Sequence, residues 1–441
     1  MVEKIKYLGV ILLSHYLLYP FYLDAFSNSL QQLLIFGSLL IYAIINKEIF
    51  STLFKGLREK KMYFTIAMLL FSIILLASFF IPIIYQTMDF SYLSSQIRHV
   101  FYLLMYIILL AMIRIKKPAQ NLKNEFMKLF TLATRNYVVF TMVLLAVGPF
   151  REFWLNFIHE TPRRLELLEM PIYFARIGWA GYSGFSVTFF CTIAVLFSIY
   201  LILHTYEHQK KISIKEVINM FFALIGNAFY GRSGLLVSLI LIIIGAAYFV
   251  FINRKIKYIV YLVSAIVIIF MLLTIIKEFN STLASWYSWM MQPFVSLIES
   301  GRIETSSTDA LWEMWFIPDD STILFGDGFY TSPLNGRYYM GTDVGFLRPL
   351  LFFGSTFMTT IYIVPATLSI GIASKNRLNK FFAFLSLITL FIFEIKAEVV
   401  FLLIPILIIL FIGEFSSRED KENTYKNNRS YKTIVTEGIA R

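Results

Sequence analysis

SGRIETSSTDALWEMWFIPDDSTILFGDGFYTSPLNGRYYMGTD, residues Ser300–Asp343, is a polar stretch set between long apolar runs. With the residues from Lys277 onward it forms a segment rich in Trp, Tyr, Gly, Asp and Arg. The rest of the chain is organised on either side of it. Of 441 residues, 58% are hydrophobic and only 15% charged, and the mean hydropathy is +0.69. Soluble domains carry about 25% charged residues. The apolar excess is divided into runs near the length of a bilayer span, about 20 residues, which places the chain among all-α polytopic membrane proteins.

Apolar windows predict twelve transmembrane helices, over 7–23, 29–46, 63–85, 99–113, 130–149, 178–204, 217–231, 234–252, 258–276, 344–372, 381–396 and 398–414. The chain thus divides into nine spans over 1–276 with a short outer segment at 150–177, a large outer loop at 277–343, three spans over 344–414, and a polar, disordered tail at 415–441. Lys4 and Lys6 followed by an apolar run resemble a secretion signal. No small-residue cleavage site follows, so the run reads as a retained first helix. Loops rich in Lys and Arg alternate along the chain, beginning with Lys47, Lys55, Arg58, Lys60 and Lys61. The positive-inside rule makes these loops and both termini cytoplasmic. Segment 150–179 has the composition of an amphipathic helix lying on the membrane.

Formal net charge is +11, but its distribution says more than its size. Of 39 basic residues, 28 lie on the cytoplasmic side, counting Arg135 as snorkelling inward from its span, and 20 of those are Lys. At the outer face stand nine arginines (Arg98, Arg151, Arg163, Arg164, Arg176, Arg232, Arg302, Arg337 and Arg348) and two lysines, Lys277 and Lys396. Topology explains lysine inside and does not explain arginine outside. Guanidinium is suited to bidentate recognition of phosphate and carboxylate, so the set points to an anionic ligand. The competing reading pairs each arginine with neighbours such as Glu152, Glu160, Glu166 and Glu169.

Single motifs support both readings. Gly231-Arg232-Ser233-Gly234 splits an apolar run into two spans joined by a tight turn, with the arginine at membrane depth, where an ionisable residue is a functional candidate. Arg176-Ile-Gly178 opens the next candidate position, and with Trp179 and Tyr182 it equally makes an interfacial anchor. Asp343 reads as a helix N-cap, near Arg348, that is also able to accept a proton. Gly326-Asp327-Gly328 reads as a tight turn bringing Trp312 and Trp315 near the membrane. Glu394, Lys396 and Glu398 form a cluster whose charges neutralise one another, which leaves Lys396 a minor ligand candidate. Cys191 stands alone in an apolar run. No Asp-x-Asp, Walker, zinc-ligand or Gly-x-Ser-x-Gly pattern occurs. The expectation is therefore no metal, no cofactor and no nucleic-acid partner.

Together these pieces resemble the bacterial O-antigen polymerase family (Wzy-type), with the O-antigen ligases as relatives. The resemblance rests on Arg176-x-Gly178, on Tyr230-Gly-Arg-Ser-Gly234, and on Ser300-Gly-Arg302 with Ala310, Leu311 and Trp312. Leu324-Phe-Gly326-x-Gly328, Asp343-Val-Gly-Phe-Leu and Gly354 complete it. It implies a fold like that of the C-type (GT-C) glycosyltransferases. It also implies undecaprenyl-diphosphate-linked donor and acceptor glycans, transfer at the outer face of the inner membrane, and a chain-length regulator as partner. It places Arg176, Arg232, Arg302 and Arg348 on the diphosphate and Asp343 as the base. Ligase relatives carry a histidine near the end of the loop, and Tyr339–Asp343 has none. The alternatives are a repeat-unit flippase and a ligase.

Overall fold

The computed structural model describes residues 2–55, 57, 61–116, 121–253, 271, 274, 275, 278, 281–334, 336–373 and 376–416. The expected span at 258–276 and the tail beyond 416 lie outside the described residues, apart from isolated positions in the span. The architecture is all-α. Among the described residues, six helices are long and apolar enough to cross a membrane, and three shorter apolar helices accompany them, so this is a multi-pass membrane protein.

The central helix, α9 (Phe185–Gln209), has its most apolar window 83% buried, against 39% for α4 (Lys61–Ile84). Its sequence explains the difference. FSVTFFCTIAVLFSIYLILH is apolar on every side, the composition of a helix surrounded by other helices. Around it pack α6 (Leu122–Ala146), α10 (Ile214–Tyr230), α11 (Arg232–Asn253) and α16 (Arg377–Glu394). The α4 helix instead packs against α15 (Leu347–Ile372).

Several boundaries depart from the hydropathy reading for identifiable reasons. The fifth span begins at Leu122 rather than 130, which takes Lys123 into the bundle, where it is 1% exposed. Its ammonium sits 2.7 Å from Glu414 and donates to Tyr200 (2.7 Å) and Asn379 (2.9 Å). A paired and hydrogen-bonded charge can be buried where a lone one cannot. The same shift puts Arg135 about 20 Å along its helix, at 1.5 Å per residue. It is not a snorkel at the helix start; it donates to its neighbour Asn136 and across to Asn219 of α10. The sixth span starts at Phe185, not 178, because residues 177–182 form a small hairpin pairing Ile177 with Tyr182. Segment 150–179 forms two short helices, α7 (Gly148–Phe157) and α8 (Pro162–Glu169), before that hairpin.

The segment read as a large loop is substantially helical. It contains α12 (Ser281–Ser300), α13 (Ser306–Glu313) and α14 (Asp320–Phe325). Trp286 of α12 is buried against Phe229, with ring centroids 5.4 Å apart. The Gly326-Asp327-Gly328 turn has a packing role of its own, and Trp312 is exposed. The turn docks on a break in α15 at Gly354. Asp327 N–H donates to Leu351 O at 2.6 Å, and Gly326 and Gly354 both hold positive φ, 74° and 77°. A Cβ on Gly354 would stand 2.4 Å from Leu324 O. Further along this segment, the Asp89 carboxylate accepts the N–H groups of Tyr330 and Thr331, each at 2.7 Å.

Gly354→Ala combines a forbidden φ with backbone overlap, so it is expected to lower stability by about 1–3 kcal/mol. Thermal unfolding of the detergent-purified protein, followed by size-exclusion fluorescence, reads this as a lower midpoint. Ala at the open position Gly37 is the control.

Candidate functional site

A cavity of about 680 Å³ opens between the helix ends and the 281–343 lid. Its charged wall consists of Arg176, Arg232, Arg348 and Lys396 against Asp343 and Glu398. Four of the five site residues expected from the sequence therefore converge. Arg302 does not. It follows the turn at Gly301 (φ 71°) with its side chain 81% exposed and its nearest carboxylate, Glu304, 4.0 Å away.

Arg232 sits one residue past the α10–α11 junction and is only 5% exposed. Gly231 there has φ −175°, so the turn needs no left-handed residue. The glycines are required by packing: a Cβ on Gly231 would meet Thr188 Oγ1 at 2.7 Å, and one on Gly234 would meet Asn227 Oδ1 at 2.4 Å. The Arg232 guanidinium is spent largely on the lid. Nη1 donates to Trp289 O (3.1 Å) and to Gln292 Oε1, and Nη2 donates to Ser307 Oγ (3.1 Å).

Arg176 is aimed by the hairpin. Ser183 N–H donates to its carbonyl at 2.8 Å, and its Nη1 donates to Tyr182 OH at 3.3 Å. Trp179 donates to Tyr19 O at 2.9 Å rather than to either of these residues. The Arg176 Nε is buried without a partner. Trp289 carries both guanidinium groups on its ring, Arg176 at 5.3 Å and Arg232 at 4.5 Å from the centroid. An aromatic face attracts each cation and so offsets part of their mutual repulsion.

Lys396 was expected to be neutralised by its flanking glutamates, and the structure corrects this. Glu394 accepts the N–H groups of Val399 and Val400, at 2.7 and 2.6 Å, and the Tyr362 hydroxyl at 2.8 Å, capping the helix Val400–Ser416 (α17). Glu398 accepts from Tyr330 (2.7 Å) and Tyr92 (3.1 Å) and pairs with Arg348 at 3.3 Å. Lys396 is left donating to Ser307 Oγ at 3.4 Å. Burial, then the neighbouring Arg176 and Arg232, lower its ammonium to about 8, with Asp343 pulling the other way. A motif of alternating charges looked balanced in sequence; consecutive turn residues point in different directions, and the balance disappears.

Arg348 has the opposite character. It is neutralised by Glu398 and held between the rings of Tyr330 (4.1 Å) and Tyr338 (3.8 Å). Asp343 is not a helix cap: α15 starts at Leu347, and its cap position is Phe346. The Asp343 carboxylate opens into the cavity. Burial among protein atoms raises its pKa, opposed by Arg348 and Lys396. Among the described residues no group of His, Cys, Asp and Glu could hold a metal ion. Searches of family models, characterised proteins and solved structures return no match to this chain.

Arg176, Arg232 and Lys396 thus form a cationic end with no carboxylate ion pair among the described residues, a wall suited to an anion. An anion there favours protonated Lys396, so affinity should be full below pH about 8 and fall above it, by up to about tenfold per pH unit. Sulfate, which does not itself titrate in this range, is the probe, read by isothermal calorimetry. Lys396→Arg should flatten the pH profile; a profile unchanged by that substitution would remove the lysine from the site.

Proposed function

We propose that this chain polymerises undecaprenyl-diphosphate-linked oligosaccharide repeat units into a surface polysaccharide. The observation that carries the reading is the unneutralised cluster of Arg176, Arg232 and Lys396 beside an unpaired carboxylate, Asp343, in one cavity. The wall holds four cations and two carboxylates. A diphosphate diester, with one charge on each phosphate, matches that excess. The sequence resemblance to the O-antigen polymerase family points the same way. In this reading the chain has twelve spans in a GT-C-like arrangement, with both termini cytoplasmic and the cavity at the outer face of the bacterial inner membrane.

The chemistry follows from the charges. A donor sugar is bonded through its anomeric carbon to the diphosphate. The acceptor hydroxyl attacks that carbon, the bond to the phosphate oxygen breaks, and the lipid diphosphate leaves with the bonding electron pair. Negative charge grows on the leaving oxygen, where fixed cations in a low-dielectric site stabilise it strongly. Asp343 takes the proton of the attacking hydroxyl. Its raised pKa makes it a better base than an ordinary surface carboxylate. Arg348, occupied by Glu398 and two tyrosines, holds the wall and does not carry the diphosphate.

In proteoliposomes supplied with lipid-linked repeat units, Arg176→Ala is expected to reduce transfer by about 10²–10³-fold. Asp343→Asn should cost about 10²–10⁴-fold. Arg302→Ala, outside the cavity, should leave chain-length ladders unchanged. Full-length ladders from Arg176→Ala and Asp343→Asn would end the proposal. Repeat units trapped on the cytoplasmic leaflet after gene deletion would indicate a flippase.

A further inference from the structure

Two chemically different groups of residues line the cavity, and Asp343 interacts electrostatically with a member of each, Lys396 and Arg348. Four aromatic rings line its wall: Tyr173, Phe185, Trp289 and Tyr338. The first three each have an unneutralised cation over the ring, from Arg176, Lys396, or Arg176 and Arg232 together. Tyr338 differs. The cation on it, Arg348 at 3.8 Å, is already neutralised by Glu398. Tyr338 is also the most open of the four, at 44% exposure.

Its placement is rigid. A backbone bridge pairs Tyr338 with Thr331, and Ser332 N–H donates to Arg337 O at 2.7 Å. Thr331 in turn is held by Asp89 through its N–H at 2.7 Å and its hydroxyl at 3.0 Å. The Arg348 guanidinium lies over the ring, and Tyr338 keeps enough exposed surface to meet a ligand in the cavity it lines. An aromatic face carries negative potential and attracts the weakly positive C–H groups of an apolar surface. A pyranose ring presents such C–H groups on one side and hydroxyls around its edge.

We propose that Tyr338 is the platform on which the acceptor sugar stacks, with its hydroxyl edge toward Asp343, and that this ring governs acceptor recognition while the cationic end governs the donor. The assignment rests on the polymerase reading and adds the acceptor subsite to it. Tyr338 is a specificity residue here; it takes no part in proton transfer. The arrangement divides labour by physics. Charge holds the diphosphate, where phosphate oxygens are numerous. An uncharged face holds the acceptor, which must be bound without drawing its hydroxyl onto a cation that would make it a poorer nucleophile.

The test uses the purified full chain in nanodiscs and two probes: inorganic pyrophosphate, and the oligosaccharide repeat unit released from the host's surface glycan. Tyr338→Leu keeps bulk over Arg348 without a π face, and Tyr338→Trp restores one. Tyr338→Leu is expected to weaken oligosaccharide binding about tenfold, with Tyr338→Trp close to wild type. Pyrophosphate should bind all three alike. Wild-type oligosaccharide affinity in Tyr338→Leu would overturn the proposal. So would equal loss of pyrophosphate binding, which would make Tyr338 a strut of the lid. A wild-type protein that binds pyrophosphate but not oligosaccharide overturns the platform and spares the diphosphate site; one that binds neither overturns both.

Discussion

Arg232 ties the helix bundle to its lid. From the junction of α10 and α11 it reaches the Trp289 carbonyl, Gln292 and Ser307, which lie on two different lid helices. A guanidinium has five donors in a fixed fork, so it can join several acceptors at once and orient them. At 5% exposure those bonds form where water competes little. Those bonds hold lid helices α12 and α13 against the bundle where the cavity opens. Lid position and cavity electrostatics are thereby one problem.

The second constraint is charge separation within a short turn. Between the last two helices, Glu394 is consumed by the α17 N-terminus and Glu398 by Arg348 and two tyrosines. Lys396 remains and joins Arg176 and Arg232. Such a cluster raises the energy of the empty site, because like charges stand together in a low-dielectric wall. Stacking of both guanidinium groups on Trp289 relieves part of that cost. An anion relieves the remainder, so the same feature that burdens the fold provides the affinity.

The lid itself is fastened at two points remote from Arg232. Asp89 holds the strand-like stretch at 330–331, and the glycine turn at 326–328 nests in the break of α15 at Gly354. These attachments place Tyr338 and Asp343 in fixed register with the cationic end. A polar segment of this length is thus fastened by a few hydrogen bonds to its main chain and by a glycine turn where side chains cannot fit.

Composition and hydrophobic run length were enough to determine an all-α membrane protein, because a bilayer leaves a chain few ways to satisfy its backbone. The asymmetry of arginine over lysine at one face pointed to an anionic ligand, and single motifs with the resemblance picked out Arg176, Arg232, Arg348 and Asp343, along with Arg302, which lies outside the cavity. Helix ends were less legible. Leu122–Ala146 takes Lys123 into the bundle, where Glu414, almost three hundred residues away, pairs with it. Lys396 was legible only as a minor ligand candidate within a cluster that reads as balanced, and the displacement of Arg302 was not legible at all. Both depend on which neighbour a charged side chain meets, and adjacent residues in a turn meet different ones. Sequence spacing records the order of charges along the chain; only the tertiary structure decides which are neutralised, because Coulomb energy depends on distance and burial and not on order.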